Sequence, residues 1–270
     1  DPNGNLAAEG RTQADDWRGF VPPELVPQVM NPRPGHLLSA NHRPIASFYE
    51  IPLGISTGSM GDTIRSWRLR ERLEGFTGQL SPEDVLAIHH DSVNPARREL
   101  VRLGLHFRDT QQGQLSAPAR QALDVLGPWL DAGARSDLRQ PGADLAQRIS
   151  TFFRFVTTPL ASRLGGGESG LARFLKDAAR RITADPQARF TEEEWQFVDQ
   201  VLANAWTEQT AVAATPTRGR SAGDSVRVRP LPWFDSLDGF GSLDRASDLS
   251  SPSLAVVDGQ TILSQAAQSY

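Results

Sequence analysis

Asp16-Trp17-Arg18-Gly19, followed after eleven residues by Asn31-Pro32-Arg33-Pro34-Gly35-His36-Leu37-Leu38-Ser39-Ala40-Asn41-His42-Arg43-Pro44, is the stretch from which the rest of the chain can be read. A tight polar turn runs into a short apolar pair and then delivers an Asn side chain. The pattern predicts a strand that presents one carboxamide to a reaction centre.

Outward from that stretch the character of the chain changes twice. Residues 1–60 are rich in Pro, Gly and Asn with short apolar runs, a pattern of strands and tight turns. From 61 to 210 apolar residues recur at three- and four-residue spacing, which predicts helices packing on one another. Ile64, Trp67 and Leu73 share one helical face, and Leu171, Phe174, Leu175, Ala178 and Ile182 share another. Ser81, Pro82 and Asp84 supply an N-cap, a proline at the first helical position and an acidic first turn. Thr191-Glu192-Glu193-Glu194 is a capping box ahead of Trp195, Val198, Val201, Leu202 and Ala205. Gly165-Gly166-Gly167 and residues 135–142 are expected to be loops. Residues 211–230 should be a polar linker ending in the alternating strand Ser225-Val226-Arg227-Val228-Arg229, and residues 231–270 should carry late strands. The outline is α/β: strands, a large helical insert, and strands again.

Composition excludes several classes. A chain of 270 residues with 39% hydrophobic content can bury a substantial core. A net charge of −4 gives no footprint for nucleic acid, and the cations are nearly all Arg, with Lys176 the sole Lys. There is no Cys for a disulfide or a thiolate metal site. No apolar run is long enough to span a membrane, and no signal-like segment opens the chain. His89-His90 with Asp91 lacks a third ligand at diagnostic spacing and suits a surface better than a metal. No Gly-x-Ser-x-Gly elbow occurs, and Gly165 to Gly170 lacks the Lys and hydroxyl of a phosphate loop.

Read as Trp-x-Gly, eleven residues, then Asn-Pro-x-x-Gly with two apolar residues and Asn-x-x-Pro, the opening stretch resembles the penicillin acylase family of N-terminal-nucleophile amidohydrolases. Arg65-Ser66-Trp67-Arg68-Leu69-Arg70-Glu71-Arg72-Leu73 is similar to the family's Arg-x-x-Arg-Ile-x-x-x-Leu helix. Ser81 to Ile88 with Asp91 is similar to the helix that follows. Asp238 to Asp244 and Val257 to Thr261 are compatible with late strands of the same domain.

The resemblance implies an αββα N-terminal-nucleophile hydrolase sandwich, present here as a partial domain with a large helical subdomain. It implies hydrolysis of a linear amide, either a β-lactam side chain or an acyl-homoserine lactone, through an N-terminal Ser acyl-enzyme. That Ser is expected outside this chain, because Asn3-Gly4-Asn5-Leu6 resembles a strand well downstream of it. The chain is therefore expected to be an internal piece of the catalytic β chain, inactive alone, with a companion α chain and the remaining β-chain residues as partners. The implied location is periplasmic or secreted. No cofactor is required for the chemistry. Some members bind calcium, and Glu50 falls near one ligand position, with an ordinary exposed Glu as the alternative.

By the same resemblance Asn41 is an oxyanion donor and Arg65 an orienting residue. A carboxamide suits the first role because its NH₂ can donate to developing negative charge while its carbonyl is held by a neighbour. Arg65 has a planar fork that grips acceptors in one geometry. The alternatives are an Asn that bonds its own backbone in a turn and a solvated basic face formed with Arg68, Arg70 and Arg72. His42 adjoins Asn41 and is a candidate pocket residue. The competing account of the whole chain is a non-catalytic helical interaction module, or an inactive relic of the acylase fold.

Overall fold

The computed structural model describes residues 19–42, 49, 61–110, 114–136, 140–152, 156, 158–165 and 167–214. Eight α-helices follow one another among them. They are α1 (Ile64–Glu74), α2 (Pro82–His89), α3 (Pro95–Thr110), α4 (Ala117–Asp131), α5 (Ala143–Phe152), α6 (Pro159–Arg163), α7 (Glu168–Ala184) and α8 (Glu192–Ala214).

Most helix starts have a local chemical cause. The Thr63 and Ser81 side chains each accept from the backbone N–H three residues on, and in both the third residue's side chain answers the cap's own N–H, closing a reciprocal box. Ser116 and Thr158 cap α4 and α6 in the same sense. At α8 the backbone N–H of Thr191 donates to the Glu194 carboxylate at 2.7 Å while the Glu194 N–H donates to Thr191 Oγ1 at 3.3 Å. At α3 the buried Asn94 takes the N–H groups of Ala96 and Arg97 on Oδ1 at 3.0 and 3.2 Å, with Pro95 at the first helical position. The sequence reading passes over that Asn-Pro start.

The helices other than α2 pack into one bundle. α8 lies along α4 and α5, and α3 is packed between α4, α7 and α8, with α1 laid across α3 and α7. The core runs through Leu100, Leu103 and Phe107 of α3, Leu123, Leu126 and Trp129 of α4, Leu175 of α7, and Phe197, Val198, Val201 and Leu202 of α8, all buried. Each such Leu, Val or Phe stabilises the fold by about 1.5–3 kcal/mol relative to exposure. Gly104 lets α3 approach its neighbours: a Cβ there would stand 2.9 Å from Leu202 Cδ1 and 3.0 Å from Leu123 Cδ2.

Two expectations change. The predicted strand through residues 35–40 does not form, and no strand occurs among the described residues. The nearest thing is an isolated bridge between Val93 and Arg135. A short apolar run makes a strand only when a neighbouring strand accepts the backbone hydrogen bonds. Instead Pro23–Leu25 forms one 3-10 turn, and Gly35 N–H donates to Pro32 O at 2.8 Å, with Gly35 at φ 74°. The segment expected as linker from 211 begins as helix, since α8 runs to Ala214 through an Ala-rich end of high helix propensity. Glu50 and the late strands expected over 231–270 lie outside the described residues.

At Gly170, in the first turn of α7, an added Cβ would stand 2.2 Å from the Leu164 carbonyl oxygen, a backbone atom that cannot swing away. Gly170→Ala should therefore cost at least about 1–3 kcal/mol, read as a fall in melting temperature of roughly 2–4 °C per kcal/mol. Gly167→Ala, whose Cβ would sit 3.9 Å from Gly165 O, should melt close to wild type. Equal melting of the two variants would contradict this packing.

Candidate active site

The first turn of α1 is where the Asn41 segment meets the bundle. Thr63 Oγ1 donates to Ala40 O at 2.8 Å, with Thr63 and Ala40 both buried. Asn41 follows at φ 56°, a left-handed conformation that Asn tolerates better than most residues. The Arg65 guanidinium donates through Nη2 to Asn41 Oδ1. This contact joins an exposed carboxamide to a half-buried Arg, so Arg65 leaves its own helix surface to hold the amide by its oxygen.

His42 is half-buried beside it and accepts the Ala40 N–H on Nδ1 at 3.3 Å. Burial pushes the imidazole pKa down, nearby Asp62 pulls it up and Arg70 pushes it down again, and the net direction is down. The ring is therefore held neutral at neutral pH, with Nδ1 as acceptor. Asp62 in turn receives Lys176 Nζ at 2.7 Å and Arg70 Nη1 at 3.1 Å. Burial raises the Asp62 pKa, and those hydrogen bonds and charges more than reverse it, leaving the carboxyl below its ordinary range. Lys176 also stands 5.2 Å from the centre of the Trp67 ring.

A second cluster fixes the rest of α1. Asp91 receives Arg68 Nε at 3.1 Å and Nη2 at 2.7 Å in a two-pronged pair, and its Oδ1 also accepts the Val93 N–H at 2.9 Å. Arg72 Nε lies 3.3 Å from the same carboxylate. Glu71 is shared by Arg68 and by Arg98 of α3, and Arg98 reaches on to Glu99, which also pairs with Arg102. The run of arginines after Arg65 is therefore not a solvated face: each is paired with a carboxylate, Arg68 and Arg72 sharing Asp91 and Arg70 taking Asp62. Sequence reasoning missed Thr63, Asp62, Lys176 and Asp91 as structural partners of the site, because their ties cross between elements and leave no period.

The remaining histidines serve elsewhere. His89 and His90 are exposed, as expected for a surface role. His106 is buried, with Nε2 2.8 Å from Ala188 O. Among the described residues no group of three or more His, Asp or Glu side chains could hold a metal. No helix among them is long and apolar enough to cross a membrane.

The described residues thus bring together the carboxamide of Asn41 and a helix of paired arginines. The Penicillin amidase family profile matches residues 1–257, and the chain belongs to that family, whose fold is the N-terminal-nucleophile hydrolase fold. It is similar to Penicillin acylase 2 proenzyme of Pseudomonas sp. (strain SE83), with 28% identity over 244 residues covering 84% of this chain and 28% of that protein. It is also similar to the acyl-homoserine lactone acylase QuiP of Pseudomonas syringae pv. syringae (strain B728a), with 26% identity over 207 residues covering 76% of this chain and 22% of that protein. The chain thus spans less than a third of the length of these curated relatives. No solved structure matches it.

The ion clusters carry a pH signature. Burial pushes the Glu71 carboxyl up, the hydrogen bonds and charges of Arg98 and Arg68 outweigh that, and the net direction is down. Glu194 follows the same pattern through Arg181 and Thr191. A carboxyl with a lowered folded pKa adds stability that is complete above its unfolded value and lost as pH falls through the folded one. Denaturation midpoints should therefore hold from neutral pH down to the ordinary Asp and Glu range near ~4, then drop as acid reaches the clusters. Glu71→Gln should show a shallower acid limb, and an unchanged limb would unlink this network from stability.

Proposed function

We propose that this chain supplies the oxyanion donor of a penicillin-acylase-like amidohydrolase, with Asn41 as donor and Arg65 as its orienting residue. The observation that carries the reading is the Arg65 guanidinium on Asn41 Oδ1. A primary amide gripped by its oxygen has its NH₂ directed to the opposite side of the group, and a cation on the carbonyl polarises the N–H bonds into better donors. Donors of this kind stabilise a tetrahedral oxyanion without reorganising during the reaction.

In the complete protein the attacking Ser lies on polypeptide outside this chain. Its hydroxyl oxygen adds to the scissile carbonyl while its own α-amine, with an ordinary pKa of ~7.7–8.0, takes the proton and passes it to the departing amine. Water then releases the acid from the acyl-enzyme. The substrate is a linear amide, a β-lactam side chain or an acyl-homoserine lactone, in keeping with the names of the two relatives. His42 borders the pocket as a neutral ring. Calcium, if bound, is structural: the candidate ligand Glu50 lies outside the described residues, and no step passes through the ion. The αββα sandwich, a companion α chain and a periplasmic or secreted location belong to the same proposal. It is supported by Phe20, Met30 and Leu37, which are 95%, 88% and 68% exposed on the segment leading to Asn41, as expected of a surface that other polypeptide covers.

In the complete protein Asn41→Ala should fold and yet lose about 10²–10³-fold in turnover. Steady-state hydrolysis of a penicillin and of an acyl-homoserine lactone provides the measurement. Near-normal turnover with either would overturn the oxyanion role of Asn41, whereas no hydrolysis of either by the unsubstituted complete protein would favour the interaction-module account.

A further inference from the structure

The geometry points to Thr63 as a positioning residue for Asn41, acting through the backbone rather than through the amide. The inference rests on Asn41 as the oxyanion donor and adds what holds that donor in place. Thr63 Oγ1 donates to Ala40 O at 2.8 Å across 23 residues of sequence. That oxygen belongs to the peptide plane joining Ala40 to Asn41, so fixing it fixes the plane from which the Asn41 side chain departs. The other side of Ala40 is held as well, its N–H bound to His42 Nδ1 at 3.3 Å. Arg65 alone, gripping the far end of a side chain with two rotatable bonds, would leave the amide free to pivot about that contact. Thr63 and Arg65 together hold both ends.

Thr63 is itself well anchored. Its hydroxyl accepts the Ser66 N–H at 3.0 Å, so the donor proton is committed to Ala40. Behind it the Ile64 N–H is bound by the Glu168 carboxylate from α7. Gly61 lies so close to Ser169 that an added Cβ would stand 2.8 Å from its Cβ. The chain of contacts therefore runs from the helical bundle through Glu168 and Thr63 to the peptide of Asn41. Small misplacement of a reacting group is costly, on the order of 10²-fold per ångström, so a hydroxyl without any contact to substrate can still govern turnover.

The test uses the complete, active protein and steady-state hydrolysis of the penicillin or acyl-homoserine lactone it cleaves. Thr63→Val, which keeps the shape and removes the hydroxyl, should lower kcat by about 10-fold or more with KM nearly unchanged. Thr63→Ser should restore most of it. Ser66→Ala breaks the same helix cap without touching Ala40 and should keep kcat near wild type. In an Asn41→Ala background Thr63→Val should add little, because the two act as one unit. Should Thr63→Val fail to accumulate, Thr63→Asp keeps an acceptor for the Ser66 N–H without a donor for Ala40 and should show the same loss of kcat. Normal kcat in Thr63→Val or Thr63→Asp, equal losses in Thr63→Val and Ser66→Ala, or a full additive loss in the Asn41→Ala background would each overturn the inference. Near-normal turnover of Asn41→Ala itself would instead overturn the oxyanion assignment on which it rests.

Discussion

The Glu168 carboxylate from α7 closing on the Ile64 N–H at the head of α1 is the contact through which the bundle reaches the site. A helix begins with N–H groups that have no partner within it, and the first turn of α1 is buried, so those groups must be met by other parts of the chain. Thr63 and Ser66 meet them locally and Glu168 meets one from across the fold. With that end fixed, Thr63 and Arg65 stand at defined places two residues apart. The placement of Asn41 depends on both.

The other end of α1 is held by charge rather than by apolar contact. Asp91 takes Arg68 with both oxygens and a backbone N–H besides, and Glu71 joins Arg68 to Arg98 of α3. A buried carboxylate with one partner would be costly, but one with a two-pronged guanidinium and a third hydrogen bond is well satisfied. The result is a helix that cannot rotate about its axis without breaking several ion pairs at once. For Arg65, which must point away from the bundle toward the Asn41 segment, rotational locking of the helix does more than added stability would.

What could be read from the sequence follows from the range of each cause. Caps at Ser81 and Thr191 act within four residues, and the apolar stripes of α7 and α8 within two turns, so both are legible. Asn41 and Arg65 are 24 residues apart, and nothing in their spacing brings them together; they were singled out together through the motif around Asn41 and the arginine helix. Nothing local assigns a role to Thr63, Glu168 or Lys176, because a hydroxyl, a carboxylate and an ammonium at unrelated positions acquire meaning only when α1 and α7 meet. The stretch from Gly35 to Ala40 shows the opposite failure. Its apolar residues do suit a strand, but pairing is decided by what lies alongside, which no local pattern contains.

The charge distribution around Asn41 bears on why the proposed donor is a side-chain amide and not the helix end itself. The start of α1 carries partial positive charge and could serve an anion directly, but Glu168 already occupies it. Asp62, a second carboxylate in the same place, is neutralised by Lys176 and Arg70. His42 is held neutral. Of the cations gathered there, Arg65 is the one directed to Asn41, which it grips by the amide oxygen. A neutral group held by a cation can stabilise developing negative charge without forming an ion pair with the substrate, so it favours the transition state over a resting anionic ligand such as the carboxylate product.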